Sequence, residues 1–180
     1  MTYVVLLRGV NLVGRNRLAM KDLKAVLEND GCAEVRTYVQ SGNAVFRSRI
    51  SDAARVRRRV ASAISRGCGV EPRVFVLTQR DLERAVAGNP FPEAEADPKT
   101  VHLFFLAGTP KPGVLKTLQA LAANGEQCAL DGRVFYLFTP AGFGTSKLAQ
   151  RAERLLGVDA TARNWRTVTT LLRMAGPAQV

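Results

Sequence analysis

The segment Arg163-Asn164-Trp165-Arg166-Thr167 concentrates two arginines, an amide and the single tryptophan of this 180-residue chain at what reads as the start of its last helix. A cation at that end opposes the helix macrodipole by about 0.3–1 kcal/mol, so carboxylates or a bound anion are expected to offset the charge. Trp165, Val168 and Leu172 recur at i, i+3 and i+7, which makes Trp165 a packing anchor. Asn164 is expected to be partly buried and hydrogen-bonded, leaving Arg163 and Arg166, three apart, to point the same way. A structural latch between the two halves of the chain accounts for these five residues as well as a binding wall does.

Three further segments carry polar groups suited to anions. Arg8 closes an apolar run, and a guanidinium there can hold phosphate or carboxylate bidentately, with Asn11 and Asn16 adding amides. The competing reading of Arg8 is an internal ion pair. Gln40-Ser41-Gly42-Asn43 reads as a hairpin turn in which glycine and asparagine supply positive φ, while Gln40 and Ser41 are free to meet a ligand if the turn lies near Arg8. Gly142-Phe143-Gly144-Thr145-Ser146-Lys147 precedes a helix, where small residues, hydroxyls and amides can bind an anion. It lacks the order and spacing of a Walker A loop, so capping by Thr145 or Ser146 is the simpler role, with Lys147 as a second basic group.

Groups for acid–base, nucleophilic or metal chemistry are sparse. The one histidine, His102, falls in an apolar strand pattern and reads as a sheet residue. No histidine, cysteine or acidic cluster has metal-ligand spacing, and no Gly-x-Ser-x-Gly elbow is present. Cys32, Cys68 and Cys128 are odd in number and widely spaced, and read as small buried hydrophobes. Glu93, Glu95 and Asp97 read as a solvated acidic linker. We therefore expect no metal and no cofactor, name no catalytic residue, and leave open whether any reaction is catalysed.

A net charge of +11 invites a nucleic-acid partner, since phosphate is attracted without sequence preference. Residues 1–90 carry 16 basic and 8 acidic side chains and residues 91–180 carry 10 and 7, and arginine outnumbers lysine 20 to 6, a bias that GC-rich coding also produces. The densest basic run, Arg55 and Arg57-Arg58-Arg59, lies opposite Val56, Val60 and Ile64 on an amphipathic helix, as a solvated helix face would. Binding of RNA or single strands through an open sheet would need exposed aromatics, of which the first and third strands offer only Tyr3 and Phe46.

These groups must be positioned by the elements between them. Strands are expected over 3–10, 35–40, 44–47 and 73–78, with helices over 20–29 and from Ser51 or Asp52 to near Gly67. The resulting β-α-β-β-α-β order is ferredoxin-like. After a short helix at 80–87 and a polar boundary at 93–99, strands over 101–107, 127–130 and 134–139 and helices over 114–123, 146–156 and 161–175 give a second, degenerate β-α-β-β-α-α unit without its last strand. The expected class is α+β, with a ferredoxin-like unit and connecting helix at 1–92 and a second unit at 93–180, packed as one compact body.

Leu6-Leu7-Arg8-Gly9-Val10-Asn11, Thr37 to Phe46, Asn89-Pro90-Phe91, Ser146-Lys147 and Ala162 to Val168, in this order over nearly the whole chain, resemble the bacterial DUF1697 family. The resemblance implies a two-part α+β fold. It supplies no activity or catalytic residue, the family being one of unknown function. Members often carry a second glycine in the loop after the asparagine, where this chain has Leu12-Val13-Gly14, which weakens any backbone grip on a ligand there.

The expectation is a cytoplasmic protein without a signal peptide or membrane span, binding a small phosphorylated or nucleotide-like anion in a cleft between its units. The expected ligand contacts are Arg8, Asn11, Gln40, Ser41, Asn43, Ser146, Lys147, Arg163, Asn164 and Arg166. Nucleic acid is the alternative partner, and oligomeric state is not legible.

Overall fold

The computed structural model describes residues 1–12 and 16–176. The Val13–Gly14 part of the loop discussed above lies outside the described residues. The chain divides into two compact units, Met1–Glu83 with Thr170–Val180, and Arg84–Thr169. The division thus falls inside a helix, ten residues before the polar segment that the sequence suggested as boundary.

In the first unit, β1 (Thr2–Arg8), β2 (Ala33–Tyr38), β3 (Asn43–Arg47) and β4 (Arg73–Thr78) form one antiparallel sheet in the order β2-β3-β1-β4. The alternation of β1 sends Tyr3, Val5 and Leu7 to one face, where they form a core with Ala44 and Phe46 of β3. Helices α1 (Met20–Asn29) and α2 (Ala53–Cys68) cover that face with Leu23, Leu27, Val56, Val60 and Ile64. Asp52 caps α2, its Oδ1 accepting from the Ala54 amide at 2.8 Å, as expected for one of the two candidate caps. Arg55, Arg57 and Arg58 stay exposed, and Arg59 pairs with Asp30 at 3.0 Å. Val4 and Leu6, on the other face, are also fully buried. On that side Arg36 of β2 donates to the Met174 carbonyl, which brings the chain's last helical turns beside the sheet.

Helix α3 (Gln79–Ala87) follows β4, its start closed by Thr78 and Asp81, which exchange bonds in a capping box: the Thr78 amide reaches Asp81 Oδ2 at 2.9 Å and the Asp81 amide reaches Thr78 Oγ1 at 3.1 Å.

The second unit repeats the plan. Its strands β5 (Val101–Leu106), β6 (Gln127–Asp131), β7 (Val134–Phe138) and β8 (Ala160–Asn164) form an antiparallel sheet in the order β6-β7-β5-β8. Helices α5 (Val114–Ala120) and α6 (Lys147–Leu156) supply Leu118, Leu148, Ala152 and Leu156 to a core with Phe104, Leu106, Phe135 and Leu137. A short α4 (Glu93–Ala96) precedes the sheet, and α7 (Trp165–Ala175) follows it.

The α+β class therefore holds, but the second unit is not truncated. Its last strand is β8, which the sequence pattern assigns to the following helix. Ala160-Thr161-Ala162 has neither strict alternation nor a β-branched run, and it runs directly into an amphipathic helix, so local propensity cannot mark the junction. Pairing does: His102 to Leu106 run beside Asn164 to Ala160 in continuous register. Tertiary hydrogen bonding overrides the weak local preference.

Candidate functional site

Five of the expected contacts gather at one end of the first sheet. Leu6 pairs with Asn43, so β3 begins where β1 ends, and the turn from β2 to β3 lies beside Arg8. The Leu7 amide donates to the Gly42 carbonyl at 2.8 Å, and Asn11 Nδ2 donates to the Gln40 carbonyl at 2.7 Å and to the Leu18 carbonyl at 2.9 Å. Asn11 Oδ1 accepts from the Leu18 amide at 2.8 Å, and Asn16 Nδ2 donates to the Gly9 carbonyl at 2.8 Å. Asn11 is thus the clasp that joins the loop after β1 to the hairpin turn.

Two of the expected ligand contacts, Asn11 and Asn43, are hydrogen-bonded within the protein. The Asn11 amide is engaged on both its nitrogen and its oxygen. Asn43 is fully buried, and its Nδ2 donates to the Tyr38 carbonyl at 3.1 Å and to Ser41 Oγ at 2.9 Å. It opens β3 rather than supplying positive φ; the turn's left-handed residues are Val39 (φ 49°) and Gly42 (φ 74°). Gln40 and Ser41 are exposed.

Arg8 is half-buried and stands directly opposite Arg73 across β1 and β4. Opposed residues of an antiparallel pair project to the same side. By alternation from Tyr3, Val5 and Leu7, that side is the face turned away from α1 and α2. The sequence gives no hint of Arg73 as a partner for Arg8, because the two are 65 positions apart and only the β1–β4 register brings them together.

In the second unit, His102 of β5 meets both the loop before α6 and the end of β8. Its ring stacks on Phe143 with centroids 3.8 Å apart, and its strand position pairs with Asn164. Phe143 opens a single 3-10 turn, Phe143–Thr145, ahead of α6. Ser146 is buried and caps α6, its Oγ accepting from the Ala149 amide at 2.9 Å, while Thr145 Oγ1 donates to the Gly142 carbonyl at 3.0 Å. Lys147 is exposed on the first turn. Burial holds the imidazole of His102 down to about 4, and its Nδ1 has no hydrogen-bond partner among the described residues. His102 is a neutral sheet residue at pH 7.

The charge argument at the last helix changes in consequence. Arg163 belongs to β8, not to the helix, and it pairs with Leu103, on the face away from α5 and α6, so it does not share a helical face with Arg166. Its Nη1 donates to Thr161 Oγ1 and to the Ala162 carbonyl, both at 2.8 Å, and burial lowers the guanidinium to about 10, which still leaves it protonated at neutral pH. Asn164 is the helix cap, with Oδ1 accepting from the Thr167 amide at 2.9 Å. Arg166 alone remains exposed near the helix start.

Trp165 is the expected anchor, 4 % exposed, and its Nε1 donates to Glu95 Oε1 at 3.0 Å. Glu95 is exposed, as the sequence reading has it, but it lies on the short helix α4 and holds Trp165 rather than forming a plain linker. The buried stripe of α7 is Trp165, Val168, Leu171 and Ala175, with Leu172 at its margin. Because Asn164 satisfies one of the orphan amides of α7, Asn164→Ala is expected to lower stability by about 1 kcal/mol, with Asn164→Asp retaining most of it in urea denaturation.

Among the described residues no three of His, Cys, Asp and Glu come close enough to hold a metal ion, and no helix is long and apolar enough to cross a membrane.

Two β-α-β-β-α-β units with strand order 2-3-1-4, each with polar groups at one end of its sheet, define a tandem ferredoxin-like α+β protein. The sequence pattern of DUF1697, described as a protein of unknown function, matches residues 1–136, and the chain belongs to that family. A conserved bacterial protein, SP0830 from Streptococcus pneumoniae, has the same fold with a TM-score of 0.75 at 21 % identity, covering 97 % of this chain and 98 % of its own. An unknown protein from Galdieria sulphuraria matches at 15 % identity with a TM-score of 0.28, covering 91 % of this chain and 97 % of its own. A search of the curated proteins found no match.

Proposed function

We propose that this protein binds a small phosphorylated or nucleotide-like anion, and that the end of the first sheet, at Arg8, Arg73 and the Gln40–Ser41 turn, is where it does so. The observation that carries the reading is the register of Arg8 against Arg73, which puts the two arginines opposite each other on one face of the sheet. A guanidinium offers several donors, so two arginines on one face can give an anion charge-assisted contacts beside the interactions each makes within the protein. Gln40 and Ser41 add an exposed amide and hydroxyl at the same sheet end. The Asn11 side chain closes the backbone of the turn before any ligand arrives, which reduces the ordering cost of binding there.

RNA or single-strand binding has less support. Stacking needs exposed rings, whereas Tyr3 and Phe46 are 0 % and 1 % exposed and face the core. What favours it is confined to charge, chiefly Arg55, Arg57 and Arg58 on α2.

The test is a thermal-shift screen of inorganic phosphate, sugar phosphates and nucleoside monophosphates. A ligand at about 100 times its Kd stabilises the native state by about 2.7 kcal/mol, a readily measured shift. Arg8→Ala and Arg73→Ala are each expected to abolish the shift, and Lys147→Ala to leave it intact. A shift that survives both arginine substitutions, or no shift with any anion, would overturn the proposal.

A further inference from the structure

We infer that the ligand of this sheet end carries an apolar, planar moiety beside its phosphate, as a nucleoside monophosphate does, and that Leu12 and Val39 receive it; this rests on the anion reading above. Apart from Met1, these are the exposed large hydrophobic residues among the described residues, at 58 % and 50 %. They are far apart in sequence, yet each is the immediate neighbour of one end of the Asn11–Gln40 clasp, whose 2.7 Å bond ties their two loops together. Arg8 lies on the strand that leads into this loop, so the apolar pair and the guanidinium belong to the same sheet end.

Val39 is the more telling of the two. Its φ is 49°, in the left-handed region that a β-branched side chain adopts only under constraint. The constraint is visible: the Tyr38 carbonyl before it is bound by Asn43 Nδ2, and the Gln40 carbonyl after it by Asn11 Nδ2. Folding alone would be served better by glycine or asparagine, which take this conformation readily. Nor does packing account for valine, since half of the residue is in solvent. A strained, half-exposed aliphatic residue on a loop tied to the one that follows Arg8 suits a contact surface for a ligand, and strain of this kind concentrates at ligand clamps.

The chemistry that fits is amphipathic. Phosphate oxygens go to the guanidinium pair, and one face of a purine lies against the two aliphatic side chains. Covering that face corresponds to about tenfold in affinity. A bare sugar phosphate lacks this term.

Titration calorimetry of the full chain with adenosine monophosphate, ribose 5-phosphate and inorganic phosphate tests the inference. Adenosine monophosphate is expected to bind about tenfold more tightly than ribose 5-phosphate. In Val39→Asn and in Leu12→Ser that advantage should disappear while ribose 5-phosphate binding stays unchanged. The Tm of Val39→Asn should be equal to or above that of the parent, because the strain is relieved; this separates loss of a contact from loss of the fold. Equal affinity for the nucleotide and the sugar phosphate in the parent chain, or an advantage that persists in both variants, would overturn this inference and leave the anion reading standing. Failure of all three compounds to bind would overturn both.

Discussion

Gly42→Ala is expected to destabilise the protein by about 2–5 kcal/mol, combining the left-handed penalty for a side chain with overpacking. The backbone at Gly42 has φ 74°, and a Cβ there would stand 2.7 Å from Leu7 Cβ and 2.8 Å from Val10 Cγ2. Neither neighbour can retreat easily. Leu7 is 1 % exposed and its amide donates to the Gly42 carbonyl, so moving one residue strains the other. The turn cannot shift outward either without stretching the Asn11–Gln40 bond. Against a typical native margin of about 5–15 kcal/mol this is a large fraction, and urea denaturation should show a lower midpoint with an unchanged slope. By contrast, Gly132→Ala meets no atom within 4 Å although φ is 53°, so its cost is expected to be only the conformational part, about 1–2 kcal/mol. The difference between the two variants isolates the contribution of close packing at the sheet end. If Gly42→Ala costs no more than Gly132→Ala, the turn is not pinned against β1 as described.

The second large effect is a loss of stability in acid that depends on His102. Burial lowers its imidazole from the ordinary 6.5 to about 4 in the folded chain. Below pH 6.5 the unfolded chain takes up a proton that the folded chain refuses, so native stability falls with pH. The loss begins near pH 6.5 and is complete near pH 4, and above pH 6.5 the group contributes its full share. The gap corresponds to about 3 kcal/mol as an order of magnitude, at 1.36 kcal/mol for each pH unit. Desolvation is the cause: Nδ1 is buried with no partner among the described residues, and the ring lies flat on Phe143. Replacement by phenylalanine keeps a ring on Phe143 and removes the titration. Denaturation curves of the parent and His102→Phe between pH 7.5 and 4 should therefore diverge, the parent losing about 2–3 kcal/mol more than the variant. Parallel pH profiles would show that the imidazole is hydrated and not held neutral by burial.

Much of the architecture is legible in local pattern. The bounds of α1 and β4 follow from apolar spacing at Met20, Leu23 and Leu27 and from the run Arg73–Thr78, and Asp52 and Ser146 sit where caps are expected. Trp165 as an anchor is likewise legible from its helical spacing. What escapes local reading is whatever depends on a distant strand. β8 looks like the beginning of a helix until β5 pairs with it; read locally it carries Arg163 into that helix, whereas in the structure Arg163 lies on the strand and Asn164 caps the helix. Leu171 rather than Leu172 completes the inward stripe, since positions i+6 and i+7 both border the Trp165 face and packing decides between them.

The candidate site divides along the same line. Residue chemistry alone determines that this chain is an α+β protein rich in guanidinium, with a single histidine and no metal-binding spacing, and that its polar motifs RGVN and QSGN must be positioned by a strand and a hairpin. Only the tertiary structure decides that those motifs meet, that Asn11 and Asn43 are spent on holding the turn, and that Arg73 stands beside Arg8. The reason is physical. Caps, amphipathic stripes and turn residues are settled by interactions over three or four positions, whereas strand register is settled by burial and hydrogen bonding between segments dozens of residues apart. The arginine pair, the clasp and the strained Val39 all follow from register.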